Sequence, residues 1–401
     1  MKLLKKCSVL PLIVTLMLSP LTAYADHTPD HKEPPALELD THAETASLID
    51  VSSGRILYSK DGDKEMRIAS LTKIMTALVA VEKADLKSMV TVSKNAAGKE
   101  GSSLYLKLGE KMSLEDMLYG LMLRSGNDAA TAIAEHVGGS EEGFVHLMNQ
   151  KAEVIGLSHT QFKNPHGLDA EGHYSTANDM AKLTAYALHN ADFKRIVGTQ
   201  QKKAPNPNET WDYNWLNKNK MLRLYEGADG VKTGYTKMAF RCLVSSATRE
   251  GQQLAAVTLN DGDDWNDHAK MLNYGFEHYP LVDLARKGQS IQKYQYITGN
   301  SFKYPLLESE AKNIKTKLIL YDQQLEEAKK IVDKDVDFGL KGRVEFMLNG
   351  AEIGHIPVYK KGSFIPKDTS AETSVLSNNL VHKSTFLSSI REVLGQIFTR
   401  E

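Results

Sequence analysis

Cysteine is almost absent from this chain of 401 residues: only Cys7 and Cys242 occur. The first lies in the extreme N-terminal segment, so no disulfide framework is available and a folded domain must be held by its apolar core. Cys242 sits in the apolar run Cys242-Leu243-Val244 and reads as a buried, inert thiol instead of a nucleophile. Net charge is nearly absent as well, at -1, so the chain as a whole attracts neither nucleic acid nor an anionic membrane. Any polymer or membrane contact must come from a local feature. Although there are 13 histidines, no H-E-x-x-H and no cysteine–histidine ligand cluster occurs, so neither a metal nor a cofactor is expected. Internal repeats and low-complexity tracts are missing too.

What is present is ordinary globular material, 41% hydrophobic and 25% charged, long enough for two domains. Residues 1–25 have the three parts of a secretory signal: three lysines by residue 6, an apolar run over 7–21, and Ala23-Tyr24-Ala25 as a small-x-small cleavage pattern. The run is short for a bilayer span, and an uncleaved anchor is the alternative. Residues 26–41, carrying His27 and His31, read as a solvated leader.

Short strand-like runs over 46–51 and 55–58, separated by Ser52-Ser53-Gly54, predict a hairpin. Leu71, Ile74, Met75, Leu78 and Val79 then repeat at helical spacing. A second stripe (Leu114, Met117, Leu118, Leu121, Met122) follows Ser113-Leu114-Glu115-Asp116, which has the form of a capping box. Further helices are predicted over 128–137 and after Ser140, with Phe144, Leu147 and Met148 inward. From Gly230 the pattern turns to strands over 231–235, 243–248 and 254–259, closed by a helix over 266–279. No strand–helix alternation of a doubly wound sheet occurs, so the expected class is α+β, with one antiparallel sheet assembled from both chain ends around a helical cluster. Residues 42–280 would form that domain and 281–366 a small β-rich one, where Asn349-Gly350 marks a hairpin. A polar linker over 367–379 leads to an amphipathic helix over 380–401, with Leu387, Ile390, Leu394, Ile397 and Phe398 on one face.

Three short motifs carry chemistry. In Ser70-Leu71-Thr72-Lys73, the serine precedes the first striped helix and Lys73 falls one turn on, on the same face. A serine hydroxyl needs a base to become nucleophilic, and a lysine serves if its neutral form is favoured by burial, a helix N-terminus or a second cation. An N-cap serine followed by a solvated lysine is the plainer alternative. Ser125-Gly126-Asn127 falls between two predicted helices, where Ser125 can relay a proton and Asn127 can hold a peptide group; an ordinary turn uses the same residues. Lys232-Thr233-Gly234 opens a strand, where a cation and a hydroxyl can bind a carboxylate and the glycine admits a ligand backbone, unless Lys232 is only an exposed edge lysine. Decoys exist, since Ser309-Glu310-Ala311-Lys312 and Ser377-Asn378-Asn379 also satisfy the first two patterns. Order and setting (helix start, inter-helix loop, strand) separate the candidates from the decoys.

Together with Arg67-Ile68-Ala69, residues 120–130, Asn164-Pro165-His166-Gly167-Leu168, His173-Tyr174-Ser175-Thr176-Ala177 and Tyr235-Thr236, these motifs resemble the low-molecular-mass D-alanyl-D-alanine carboxypeptidases. These are penicillin-binding serine peptidases, and the likeness covers nearly the whole mature chain. It is greatest to the sporulation-associated members of spore-forming bacilli. The resemblance implies a penicillin-binding, serine β-lactamase-like catalytic fold and peptidoglycan stem peptides as substrates, with β-lactams as inhibitors. It further implies Ser70 as acylated nucleophile, Lys73 as its base, Ser125 as relay, and Lys232 and Thr233 as carboxylate ligands. The backbone N–H groups of Ser70 and Tyr235 would form the oxyanion hole. His166 and His173 would be structural. An exported enzyme at the outer face of the cytoplasmic or forespore membrane is implied, its final helix lying on the membrane. A class A β-lactamase is the rival, but no E-x-x-L-N segment follows Ser125. A catalytically inactive wall-peptide-binding protein is the other, and intact Ser70, Lys73, Ser125 and Lys232 argue against it.

Overall fold

The computed structural model describes residues 39–291, 294–321 and 339–365. The signal segment, the linker with its Ser377 decoy, and the final amphipathic helix lie outside the described residues. Among the described residues, no helix is long and apolar enough to cross a membrane.

Strands Thr45–Asp50 (β1) and Ile56–Lys60 (β2) form the expected N-terminal hairpin. A tight turn at Ala69–Thr72 leads into helix Lys73–Lys83 (α1). The small hairpin Met89–Thr91 (β3) and Lys111–Ser113 (β4) follows, then helix Leu114–Tyr119 (α2). Ser113 accepts from the Asp116 N–H as a cap should. The reciprocal half of the expected box differs, however, because the Ser113 hydroxyl itself donates to the Asp116 carboxylate at 2.8 Å. A wide turn, Gly120–Arg124, separates α2 from helix Asn127–Gly138 (α3), so the second apolar stripe spans two kinds of turn. Helix Glu141–Ile155 (α4) starts on Ser140, whose hydroxyl caps Gly143.

Helices Ala177–Leu188 (α5) and Ala191–Val197 (α6), the hairpin Gln201–Ala204 (β5) and Tyr213–Leu216 (β6), and the short helix Met221–Leu224 (α7) were not anticipated by the apolar spacing. In α5 ten of the twelve residues are buried, so apolar and polar positions do not divide into two faces. Strands Ala228–Thr236 (β7), Phe240–Arg249 (β8) and Gln252–Leu259 (β9) and helix Asp264–His278 (α8) complete this part.

Both chain ends do contribute to one antiparallel sheet, in the order β2-β1-β9-β8-β7. Its alternation divides two cores. Ile49, Val244, Ala255 and Val257 face the helical cluster, whereas Leu48, Leu243, Leu254 and Ala256 face Met271 and Leu272 of α8. β7 stands at the sheet edge, so the strand carrying Lys-Thr-Gly borders the helical cluster instead of being enclosed between strands.

Residues beyond α8 form two further sheets. Leu281–Ala285 (β10) will pair with a later strand; Ser290–Ile291 (β11) and Tyr296–Thr298 (β12) come next, then Phe302–Pro305 (β13), the partner of β10. After the turn of helix Glu308–Ala311 (α9), strands Ile314–Leu320 (β14), Leu340–Leu348 (β15) and Ala351–Lys360 (β16) complete a sheet of order β11-β12-β16-β15-β14. Asn349 and Gly350 turn the β15–β16 hairpin with φ of 50° and 86°, the left-handed pair that such tight turns require.

Arg55, at the tip of the first hairpin, ties this region to the five-stranded sheet that contains β1. Its guanidinium donates to both oxygens of Glu310 (2.6 and 3.0 Å) and to the Pro305 carbonyl, lying over the rings of Tyr279 and Tyr304. The decoy Ser309-Glu310-Ala311-Lys312 therefore contributes its Glu310 to this contact. Removing one partner of a largely buried pair costs roughly 3 kcal/mol. Arg55→Ala is expected to expose residues 281–320 to proteolysis and hydrogen exchange early, while covalent labelling by penicillin is retained. Unchanged exchange in that region would show that the contact does not hold it.

Candidate active site

The tight turn Ala69–Thr72 holds Ser70 under conformational tension. Ala69 has φ of 46°, in the region an alanine adopts at a cost. The loop over 163–173 crosses directly above it. Gly167 has φ of 83°, and any Cβ there would collide with the Ala69 carbonyl oxygen and crowd Thr72. His173 locks the same turn. Its Nδ1 accepts from the Lys163 N–H, so Nε2 carries the proton and donates to Thr72 Oγ1 at 2.8 Å; that hydroxyl in turn donates to the Ala69 carbonyl. Burial, then the positive charge of neighbouring groups, pushes His173 down to about 4, so it stays neutral and structural.

Lys73 opens α1 and is fully buried. Its Nζ lies 3.0 Å from Ser70 Oγ, 2.7 Å from Asn127 Oδ1 and 2.6 Å from the His166 carbonyl oxygen. A neutral amine has two protons and one lone pair. The amide and carbonyl oxygens can only accept, so they take the two protons, and the lone pair is left for the Ser70 hydroxyl. Burial is the main reason the lysine is held far below its ordinary range; the charges of Lys232 and Lys218 add to it, and Asp128 opposes them.

Ser125 follows the wide turn at Gly120–Arg124 with φ of 68°, and its buried hydroxyl accepts from Lys232 Nζ at 3.1 Å. Lys232 also donates to the Thr233 carbonyl oxygen at 2.7 Å. Burial, then Lys218, lowers it to about 7. Gly234 faces the Ser70 turn: an added Cβ would stand 3.2 Å from the Ser70 nitrogen and 3.3 Å from the Ile68 carbonyl oxygen. The Ser70 amide therefore lies against the strand immediately before Tyr235. Thr233 is half-buried, and the Tyr235 side chain is exposed. Asn127, expected to hold a substrate amide, donates from Nδ2 to the Glu100 carbonyl while its oxygen accepts from Lys73. One proton and one lone pair of that amide are left over.

All three motifs thus meet in one cleft. The profile of peptidase family S11, D-alanyl-D-alanine carboxypeptidase, matches residues 29–263, which contain every one of them. The chain belongs to that family. It is 34% identical over 369 residues to the D-alanyl-D-alanine carboxypeptidase DacF of Bacillus subtilis, spanning 89% of this chain and 90% of that one. It is also 33% identical over 342 residues to DacC of Escherichia coli (78% and 81%). Among solved structures, penicillin binding protein 5 from Haemophilus influenzae superposes with a TM-score of 0.65 at 27% identity, covering 82% of this chain and 99% of that one. This carboxypeptidase is accordingly a hydrolase acting at the cell wall, with the α+β penicillin-binding fold.

Two functional neighbours escaped the sequence reading. Lys218, between β6 and α7, brings a third cation whose charge lowers both buried lysines; it is itself lowered by desolvation and by Arg124. It lies in no motif, and only the fold brings it near. Asp128 is fully buried and accepts from the Leu104 and Leu106 N–H groups and the Ser103 hydroxyl, fixing the loop beside Ser125. Its position in the first turn of α3, directly after the Ser-Gly-Asn motif, was the available signal. Cys242 is buried, and burial raises its thiol to about 12, as an inert side chain requires. Three groups that could hold an ion (His42, Asp263, Asp267) lie elsewhere, but Asp267 is already bonded to His42 and Lys270.

In this carboxypeptidase the rate of acylation by a fluorescent penicillin should rise with pH as Lys73 loses its proton, then fall as Lys232 loses the charge a carboxylate needs. Lys218→Ala removes a positive charge from both, so both limbs should move to higher pH, by up to one unit. Limbs that stay in place would show that Lys218 does not set them.

Proposed function

We propose that this enzyme removes the terminal D-alanine from peptidoglycan stem peptides through an ester on Ser70. The supporting observation is the Lys73 amine, whose two protons are taken by fixed acceptors while its lone pair faces Ser70 Oγ at 3.0 Å. Lys73 takes the hydroxyl proton as Ser70 attacks the carbonyl between the last two D-alanines. The Ser70 and Tyr235 amides stabilise the oxyanion. Lys232 and Thr233 hold the terminal carboxylate, Gly234 admits the substrate backbone, and Asn127 offers its spare amide proton to the substrate. Ser125, in contact with Lys232, passes a proton to the leaving amine; D-alanine departs, and water then hydrolyses the ester. β-Lactams acylate the same serine and leave slowly.

Fluorescent-penicillin labelling followed by peptide mapping tests the reading. The label is expected on the peptide containing Ser70, and a label elsewhere would overturn the assignment. Steady hydrolysis of penicillin at many turnovers per second would instead favour a β-lactamase. We further read the enzyme as exported and held at the cytoplasmic or forespore membrane by residues 380–401, in spore or vegetative wall maturation. The leader composition and the apolar stripe support this. Loss of membrane fractionation on deleting residues 380–401 is the expected result.

A further inference from the structure

The carbonyl that aims the Lys73 lone pair belongs to His166, and the position of that residue is set by its own ring. The ring is buried. Its Nδ1 accepts from the Leu168 N–H at 3.2 Å, which leaves the proton on Nε2. Nε2 lies 3.4 Å from Glu141 Oε1, within ionic reach but not aligned as a hydrogen bond. Glu141 is the first residue of α4, and its other oxygen is held by Lys99 (3.0 Å), Asn95 (3.3 Å) and Thr131 (3.5 Å). The His166 contact, ahead of Lys99, holds its carboxyl down to about 2, so it is ionised throughout the working range.

Thr131 lies one turn along α3 from Asn127, the second acceptor of the Lys73 amine. One carboxylate therefore braces both fixed acceptors, the His166 carbonyl through the imidazole and Asn127 through α3. No motif contains Glu141. The charged and titratable groups facing His166 are Glu141 from α4, Lys99 from the loop after β3, Lys73 from α1 and His173 from its own loop.

We propose that Glu141 is a positioning residue for the base: by facing the buried His166 Nε2–H with its carboxylate, it fixes the backbone carbonyl that turns the Lys73 lone pair toward Ser70. The inference rests on Lys73 being the base. A role confined to stabilising the start of α4 would alter folding and leave the chemical step unchanged. A brace on the base instead slows proton removal without touching the carboxylate pocket around Lys232. Small misplacement of a reacting group costs one to two orders of magnitude in rate.

The test is stopped-flow acylation of the full chain by a fluorescent penicillin, resolved into noncovalent affinity and acylation rate constant, for the wild type, Glu141→Ala and Glu141→Gln. Glu141→Ala should slow acylation about tenfold with affinity within twofold of wild type. Glu141→Gln, which keeps an oxygen facing Nε2–H at the same place, should recover to within about threefold of wild type. An alanine variant acylating at the wild-type rate would overturn the proposal. So would a glutamine variant as slow as alanine, or a parallel loss of affinity and rate with a lowered melting temperature. A wild-type chain that is not labelled at Ser70 would overturn the reading of the site itself, which keeps the two failures distinct.

Discussion

Lys73→Met should cut acylation by orders of magnitude and change how stability depends on pH. Without the amine, nothing within hydrogen-bond reach on that side of Ser70 can take its proton, and loss of a general base costs about 10²–10⁴ in rate. A drop of about 10²–10⁴-fold in penicillin labelling is expected. Stability changes with pH. Lys73 is fully buried, with its pKa pushed far down by that burial and by Lys232. Unfolded, the side chain binds a proton up to about pH 10.4; folded, it releases that proton much lower. Between those two values the unfolded chain binds more protons, so stability rises with pH, and the cost of burial is fully present only below both.

Methionine removes that cost, but it leaves the Asn127 and His166 oxygens without their donor, at about 1–3 kcal/mol each. In a domain this size each kcal/mol shifts the melting temperature by about 2–4 °C. Relative to wild type the variant should fare best at low pH and worst by about pH 11, because a neutral lysine has no burial cost left to relieve. A melting-temperature difference that ignores pH would show that the buried amine is not what costs stability.

Gly167→Ala has the second large effect, on both folding and rate. With φ of 83°, an alanine there costs about 1–2 kcal/mol in backbone conformation alone. Its methyl group would also meet the Ala69 carbonyl oxygen, which is backbone and has nowhere to go, adding about 1–3 kcal/mol. The nucleophile turn must shift, and acylation should fall on the order of 10²-fold. Gly172→Ala is the control. Its φ is 70°, but the nearest atom to a new Cβ is the flexible end of Lys163 at 3.0 Å, so it should lose stability and keep its rate. Equal acylation by the two variants would mean that the loop does not press on the Ser70 turn.

How far the sequence carried the reading depends on which residues act locally. Ser70 and Lys73 are one turn apart, so a helix start is enough to bring them together. Lys232 and Ser125 are separated by 107 positions, and their 3.1 Å contact was legible only through the order and setting of three motifs. Lys218 and Glu141 act through charge and bracing across loops, and neither leaves a local pattern. Helix α5 was missed because burial on nearly every side erases the periodicity that marks a half-exposed helix, and α6, with three buried residues in seven, is too short for a stripe to register. The hairpins β3–β4 and β5–β6 have strands of three and four residues, too short for alternation to register.

The place of β1 between β2 and β9 has a consequence for biogenesis. The strand that carries Lys232 is anchored through β8 to β9, and β9 closes on a strand made some two hundred residues earlier. Ser70 can acquire its helical surroundings while the chain is still emerging, but the wall opposite it cannot stand until residue 259 has arrived and paired. Long-range pairing of this kind is slow to form. Ser70 therefore gains its full surroundings only after this pairing, so the first moment at which it can be acylated comes late in folding.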